Sequence, residues 1–268
     1  MPTMRVMTYN MLHAPGDRLD ALTQVIQDAQ PDVVACQEVD DIDGLLALSQ
    51  RLGMPPVVGR SNRPESPPEP EHLALLTRWP VTRMTVHPGD PEAMFRPVLE
   101  VWVEPPHAEP VGFFNVHFRA FAGPPGSGVK MREVEILLDV LAHGDGQRCA
   151  LGDFNAWAPG EGDQSSSWRS DLPEDHRVAV RGGIGRRMME HGFVDTWRAA
   201  VRRDPSTEPP RTLRGASASR VDFIWADSTL APFAVESRII RTPVAEHASD
   251  HYPTLTVFDV PNRAASTP

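Results

Sequence analysis

The chain has 268 residues, 40% of them hydrophobic, and a formal net charge of -10. That length and apolar content suit one large α/β domain with a sizeable core, and no apolar window reaches the length of a membrane span. The acidity argues against tight nonspecific binding to duplex nucleic acid, which needs a basic footprint.

Met4 to Thr8 reads as a first strand that enters a turn at Asn10, with no basic-then-apolar leader pattern ahead of it. Leu19, Leu22, Val25 and Ile26 have helical spacing, so a helix is expected over 18–29, ended by Pro31. Val33 to Cys36 is wholly apolar, as in a strand buried on both faces. A second helix follows at 42–51, with Leu45, Leu46 and Leu48 facing inward. This alternation predicts a layered α/β domain. Six prolines between 55 and 70 predict a stiff polar loop. Strands are expected at 72–77, 81–87, 97–104 and 110–117, joined by short turns as in antiparallel meanders. Val129 to His143 reads as a helix striped by Val134, Leu137, Leu138 and Leu141. Arg148 to Leu151 is a strand running into Gly152, and the Gly-, Ser- and Pro-rich residues 156–183 read as an insertion or long loop.

Farther on, a helix is expected over Gly185 to His191 and a short one near Asp195. Strands at 221–225, 233–241 and 253–258 complete the pattern. Residues 1–260 are expected to form a single domain and 261–268 a flexible C-terminal tail. Cys36 and Cys149 each sit in an apolar run and read as reduced core thiols, which suits a cytoplasmic protein. Arginines outnumber lysines 25 to 1, the lysine being Lys130. From Arg169 to Arg220, eleven arginines face seven acids, so this stretch is locally basic.

Short polar motifs close several of the apolar runs. They are Thr8-Tyr9-Asn10, Gln37-Glu38, Asn115-Val116-His117, Gly152-Asp153-Phe154-Asn155, Arg220-Val221-Asp222 and Ser249-Asp250-His251. Carboxylates, amides and imidazoles at strand ends can converge on one rim of a sheet, the requirement for metal-assisted phosphate ester hydrolysis. Asp153 and Asn155 stand two residues apart and point the same way on an extended strand end. His251 needs a carboxylate to fix its tautomer, and Asp222 is the candidate.

The ordered set resembles the endonuclease/exonuclease/phosphatase superfamily of DNase I-like metal-dependent phosphoesterases, from about Met4 to Phe258. The resemblance implies a four-layer α/β/β/α sandwich, an α/β (α+β) fold of two mixed β-sheets packed face to face with outer helices. It implies a metal-dependent phosphoric ester hydrolase using Mg²⁺ or Mn²⁺. Asn10, Glu38 and Asp250 would lie on the metal side. His117, Asp153, Asn155, Asp222 and His251 would be catalytic. Glu71 is the expected partner of His117, Arg96 is expected near the cleft, and His13 is within reach of substrate. Trp157 and Trp168 are candidate stacking platforms. The expected reaction is in-line attack of water on a phosphodiester or phosphomonoester, with a small or lipid-like substrate favoured by the net charge. The alternative is a nuclease or DNA-repair endonuclease with the same site and a basic groove built from Arg177 to Arg220. A monomer is expected.

Overall fold

Met4 and Val6 of the first strand pack into one hydrophobic cluster, whereas Met7, Tyr9 and Met11 pack into another. The alternation has the period of two that a strand imposes, and both faces are buried. Val33 and Ala35 of the next strand join the first cluster, and Val34 and Cys36 join the second. The computed structural model describes residues 3–14, 16–61, 71–90, 92–94, 96–106, 108–120, 123–162, 169–201, 211–214 and 220–261.

One six-stranded sheet contains, in chain order, β1 (Thr3–Ala14), β2 (Val33–Val39), β3 (Pro56–Gly59) and β4 (His72–Thr77). The second contains β5 (Val81–His87), β6 (Val98–Val103), β7 (Val111–His117), β8 (Gln147–Asp153), β9 (Val194–Asp195) and β10 (Asp222–Ala226). The chain then returns to the first sheet with β11 (Ala234–Ile239) and β12 (Thr254–Asp259). The orders are β11-β12-β1-β2-β4-β3 and β5-β6-β7-β8-β10-β9. Each sheet is mixed, with a parallel pair, β1–β2 or β7–β8, among antiparallel neighbours.

Helices α1 (Leu19–Ala29) and α2 (Ile42–Leu52) cover the first sheet through Leu22, Val25, Ile26, Leu45 and Leu48. Helix α3 (Val129–Ala142) covers the second through Val134, Leu137, Leu138 and Leu141. Between the sheets, Val6, Ala35 and Leu75 meet Val101, Phe113 and Leu151. The result is the expected four-layer α/β/β/α sandwich. Local signals set the helix ends. Gln30 takes a left-handed conformation just before Pro31, and the Asp41 side chain accepts the Gly44 amide at 2.9 Å to cap α2.

Shorter helices α4 (Glu174–Val178), α5 (Ile184–Glu190), α6 (Thr196–Val201) and α7 (Ala245–Ala248) complete the fold. No described helix is long and apolar enough to cross a membrane. Three expectations need correction. The meander is β5–β6–β7 only, because β4 pairs with β2 and β3 in the other sheet. Pro56 opens a strand where a loop was expected, and it is tolerated because β3 is an edge strand. The 156–183 stretch holds α4 and a further wide helical turn, Ala179–Gly183. Residues 62–70, 163–168 and 262–268, which take in most of the expected 55–70 loop, a short part of the 156–183 stretch with Trp168, and nearly all of the expected tail, lie outside the described residues.

Candidate active site

Parallel register brings the polar motifs to one rim. In the first sheet Asn10 pairs with Gln37, one residue before Glu38, and in the second His117 pairs with Asp153. Antiparallel register then sets Asp222 against Asp153. The Asn10 amide spans the gap between the sheets, donating to Glu38 Oε1 at 2.9 Å and to Asp153 Oδ2 at 3.2 Å. Beneath them, Gln37 Nε2 donates to Asn115 Oδ1 at 2.7 Å, and Asn115 Nδ2 donates to the Cys36 and Ala74 carbonyls. Gln37 and Asn115 are fully buried and tie one sheet to the other.

Backbone strain concentrates here. Glu38 has φ 55° and Asn155 has φ 44°, both left-handed. Gly152 has φ 140°, and a Cβ there would lie 1.9 Å from the Val116 carbonyl oxygen. Its lack of a side chain lets β8 pass against β7 immediately before Asp153. The Asp153 carboxylate accepts the Asn155 backbone amide at 2.8 Å and its side-chain amide at 3.1 Å.

His251 Nδ1 lies 2.8 Å from Asp222 Oδ2, and its Nε2 lies 3.9 Å from Asp153. Burial opposes charge on this ring, but the Asp222 carboxylate outweighs burial and pushes its pKa up to about 10. Burial, with Asp222 and Glu38 nearby, pushes Asp153 up to about 7. His117 is 3% exposed and sits between Glu38 at 3.7 Å and Asp153 at 3.5 Å. Burial holds it well below the usual histidine range, so its ring is neutral.

The structure places the remaining expected residues unequally. Asp250 follows Ser249, whose hydroxyl donates to the Asn10 carbonyl at 2.7 Å, so this loop is pinned to β1. Among the described residues, the group with ligand atoms within 4.8 Å of one another is Asp153, Asp222 and His251; Glu38 and Asp250 lie outside it. In that group the histidine Nδ1 is already engaged by Asp222 at 2.8 Å. Glu71 does not hydrogen-bond His117 as expected. Glu71 Oε2 stands 3.8 Å from His117 Nδ1, beside it but beyond hydrogen-bond reach, and the same oxygen is held by Arg96. Arg96 also donates to the His117 carbonyl at 3.5 Å. His13 reaches the site, with Nδ1 2.6 Å from Asp40 and Nε2 3.7 Å from Glu38. Trp157 is no stacking platform. It is 7% exposed and packs with Val180 and Val221.

Two supporting residues had little or no signal in the sequence. Arg18 donates to the carbonyls of Met11, Leu12 and Ala248, joining the end of β1 to the loop that carries Asp250. Thr212 Oγ1 accepts the amides of Val221 and Asp222. A third, Asp40, stands two residues after Glu38, a spacing that does mark it.

The donor set fits a hard divalent cation. Glu38, Asn10 and Asp250 offer oxygen ligands, and the Asp222 and Glu38 carboxylates that help burial raise the proton affinity of Asp153 leave the rim in want of a counter-charge.

Among curated proteins none matches the sequence. Solved structures match over nearly its whole length. The 3' phosphatase NExo from Neisseria, bound to a product DNA hairpin, is 20% identical over 96% of this chain and 99% of its own, with a TM-score of 0.70. An AP endonuclease from Archaeoglobus fulgidus is 20% identical over 96% of this chain and 100% of its own, with a TM-score of 0.69. An endonuclease/exonuclease/phosphatase from Beutenbergia cavernae is 22% identical over 97% and 72%, with a TM-score of 0.70. At these identities the likeness shows the fold. Residues 7–251 match the profile of the Endonuclease/Exonuclease/phosphatase family. The chain belongs to that family and is a metal-dependent hydrolase of phosphoester bonds.

Proposed function

We propose that the chain hydrolyses compact phosphodiesters or phosphomonoesters, small or lipid-like, by in-line attack of water assisted by Mg²⁺ or Mn²⁺. The observation that carries the reading is the convergence of Asn10, Glu38, His117, Asp153, Asp222 and His251 on one rim. Asp153, with its proton affinity near neutrality, takes the proton from the attacking water. The protonated His251 ring, held by Asp222, donates Nε2–H to a nonbridging phosphoryl oxygen. Asn155 orients the Asp153 carboxylate. Glu38, Asn10 and Asp250 would hold the cation. When bound, it offsets the charge that develops on the phosphoryl oxygens.

The substrate class rests on charge. Five arginines of the locally basic stretch are engaged within the chain. Arg169 pairs with Asp171, Arg177 with Glu174, Arg187 with Glu135 and Glu190, and Arg198 and Arg220 with Glu161. A groove for a long polyanion needs such cations uncommitted. Cys36 and Cys149 lie in separate clusters as free thiols, which supports a cytoplasmic setting. The nuclease reading draws support from the likeness to an AP endonuclease and to a DNA-bound 3' phosphatase.

A substrate panel tests both readings. It contains a bis-aryl phosphodiester, an aryl phosphomonoester, single-stranded and duplex DNA and an abasic duplex, each with Mg²⁺, Mn²⁺ or chelator. Turnover should be fastest on the small esters, vanish with chelator and return with Mg²⁺ or Mn²⁺. Full turnover in metal-free buffer sinks the reading, and faster cutting of DNA hands it to the nuclease.

A further inference from the structure

Lys130 is the single lysine in a chain with 25 arginines, and it is 1% exposed. It lies on the sheet-facing side of α3 beside Glu133, also 1% exposed, with Nζ 3.6 Å from the Glu133 carboxylate. Burying two charges costs several kcal/mol each, and an apolar pair of similar volume often serves stability as well. Stability alone therefore gives no reason for the pair.

Its hydrogen bonds do give one. Lys130 Nζ donates to the Arg119 carbonyl at 2.5 Å and to the Phe154 carbonyl at 3.4 Å. Glu133 Oε1 accepts the Arg119 amide at 2.8 Å. Arg119 is two residues beyond His117, and Phe154 lies between Asp153 and Asn155. The two segments also hold each other. The Phe118 amide donates to the Asp153 carbonyl at 2.8 Å, and Asn155 Nδ2 donates to the Phe118 carbonyl at 2.9 Å. The ion pair thus grips both peptide segments that leave the catalytic strand ends. A lysine suits the position because its compact charge on a thin stem can reach two carbonyls that a planar guanidinium fork would crowd.

We propose that Lys130 and Glu133 are positioning residues for the hydrolysis, setting His117, Asp153 and Asn155 relative to one another through the backbone beyond β7 and β8. The role rests on the assignment of those three residues to the reaction. Neither Lys130 nor Glu133 needs to touch substrate.

The test replaces both charges with apolar groups in the full chain, as the Lys130→Met/Glu133→Leu double variant, so that no charge is left buried alone. Three readouts are compared with wild type: the melting temperature, kcat and KM for bis(p-nitrophenyl) phosphate with Mn²⁺, and amide hydrogen exchange. A misplacement of about 1 Å costs roughly 10²-fold in rate. The double variant should therefore stay cooperatively folded, its melting temperature lowered by no more than the several degrees that the lost backbone partners cost, and keep its KM, while kcat falls by about that factor. Exchange should quicken at Arg119 and Asn155 and stay unchanged in β1 and β12. A folded double variant with wild-type kcat overturns the proposal. So does a collapse of the melting temperature, which makes the pair a stability element. If the wild type leaves the probe intact, the assignment of substrate class fails, and the exchange data still decide. Quickened exchange at Arg119 and Asn155 keeps the positioning role, and unchanged exchange removes it.

Discussion

Asp222, 2.8 Å from Nδ1, favours the charged form of His251, and in the proposed reaction it is this charge that lets Nε2 donate to a phosphoryl oxygen. Asp222→Asn preserves the shape but removes the counter-charge. The ring then loses the interaction that raises its pKa, so its charged form gives way to the neutral one at lower pH. Turnover should fall by roughly 10²-fold at neutral pH, as loss of a positioned proton donor does. The alkaline limb of the kcat profile should also move to lower pH, because activity follows the charged ring. Thermal melting should show a folded protein. An unshifted alkaline limb with wild-type kcat would remove His251 from the reaction. The pairing was readable in advance, since a histidine after a loop needs one carboxylate and the Arg-x-Asp strand end supplies it. The Glu71–His117 pairing was not. Nothing local to Glu71 reveals that Arg96, 25 residues later in the chain, takes its carboxylate first. Trp157 misled for a similar reason. Gly162 has no Cβ, which would stand 2.2 Å from the indole, so the loop closes over the ring and buries it.

Strands β7 and β8 carry His117 and Asp153 side by side because their parallel register is closed up at Gly152. A side chain at Gly152 would collide with the Val116 carbonyl oxygen, and its φ of 140° disfavours other residues, so the constraint is steric as well as conformational. Gly152→Ala should destabilise the chain by about 3 kcal/mol or more, the range for strain at a special backbone position combined with overpacking. For a chain of this size that corresponds to a loss of roughly 6 °C or more in melting temperature. A variant melting within about 2 °C of wild type would show that β7 can move aside. The strands themselves were largely readable, because burial of both faces leaves unbroken apolar runs such as Val33 to Cys36. Their assignment to sheets was not. Arg78-Trp79-Pro80 looks like a hairpin turn, yet it carries the chain from β4 in one sheet to β5 in the other. Which neighbour a strand chooses is a long-range matter that no local turn signal encodes.

Each sheet is built around a parallel pair, β1–β2 and β7–β8, and the reacting groups gather where the ends of the two pairs meet across the sandwich. That meeting line is dominated by Glu38, Asp153 and Asp222, and the chain as a whole carries a net charge of -10. A cation in the site offsets local charge but leaves the surrounding field acidic. Association with a compact ester needs few phosphate contacts, whereas firm nonspecific binding to DNA takes roughly six to ten. Arg169, Arg177, Arg187, Arg198 and Arg220 are each committed to carboxylates of the chain itself, so their charge is largely cancelled at a distance. Duplex DNA should therefore bind more weakly than micromolar at about 0.15 M salt, and affinity should fall only shallowly as salt rises, because few counterions are released. Fluorescence anisotropy with a labelled duplex, in Ca²⁺ to limit cleavage, measures both quantities. Small-ester turnover in Mg²⁺ over the same salt range should change little, since its rate does not depend on a polyanion groove. Micromolar or tighter DNA binding with a steep salt slope, together with faster cutting of DNA than of small esters, would replace the compact-ester reading with the nuclease.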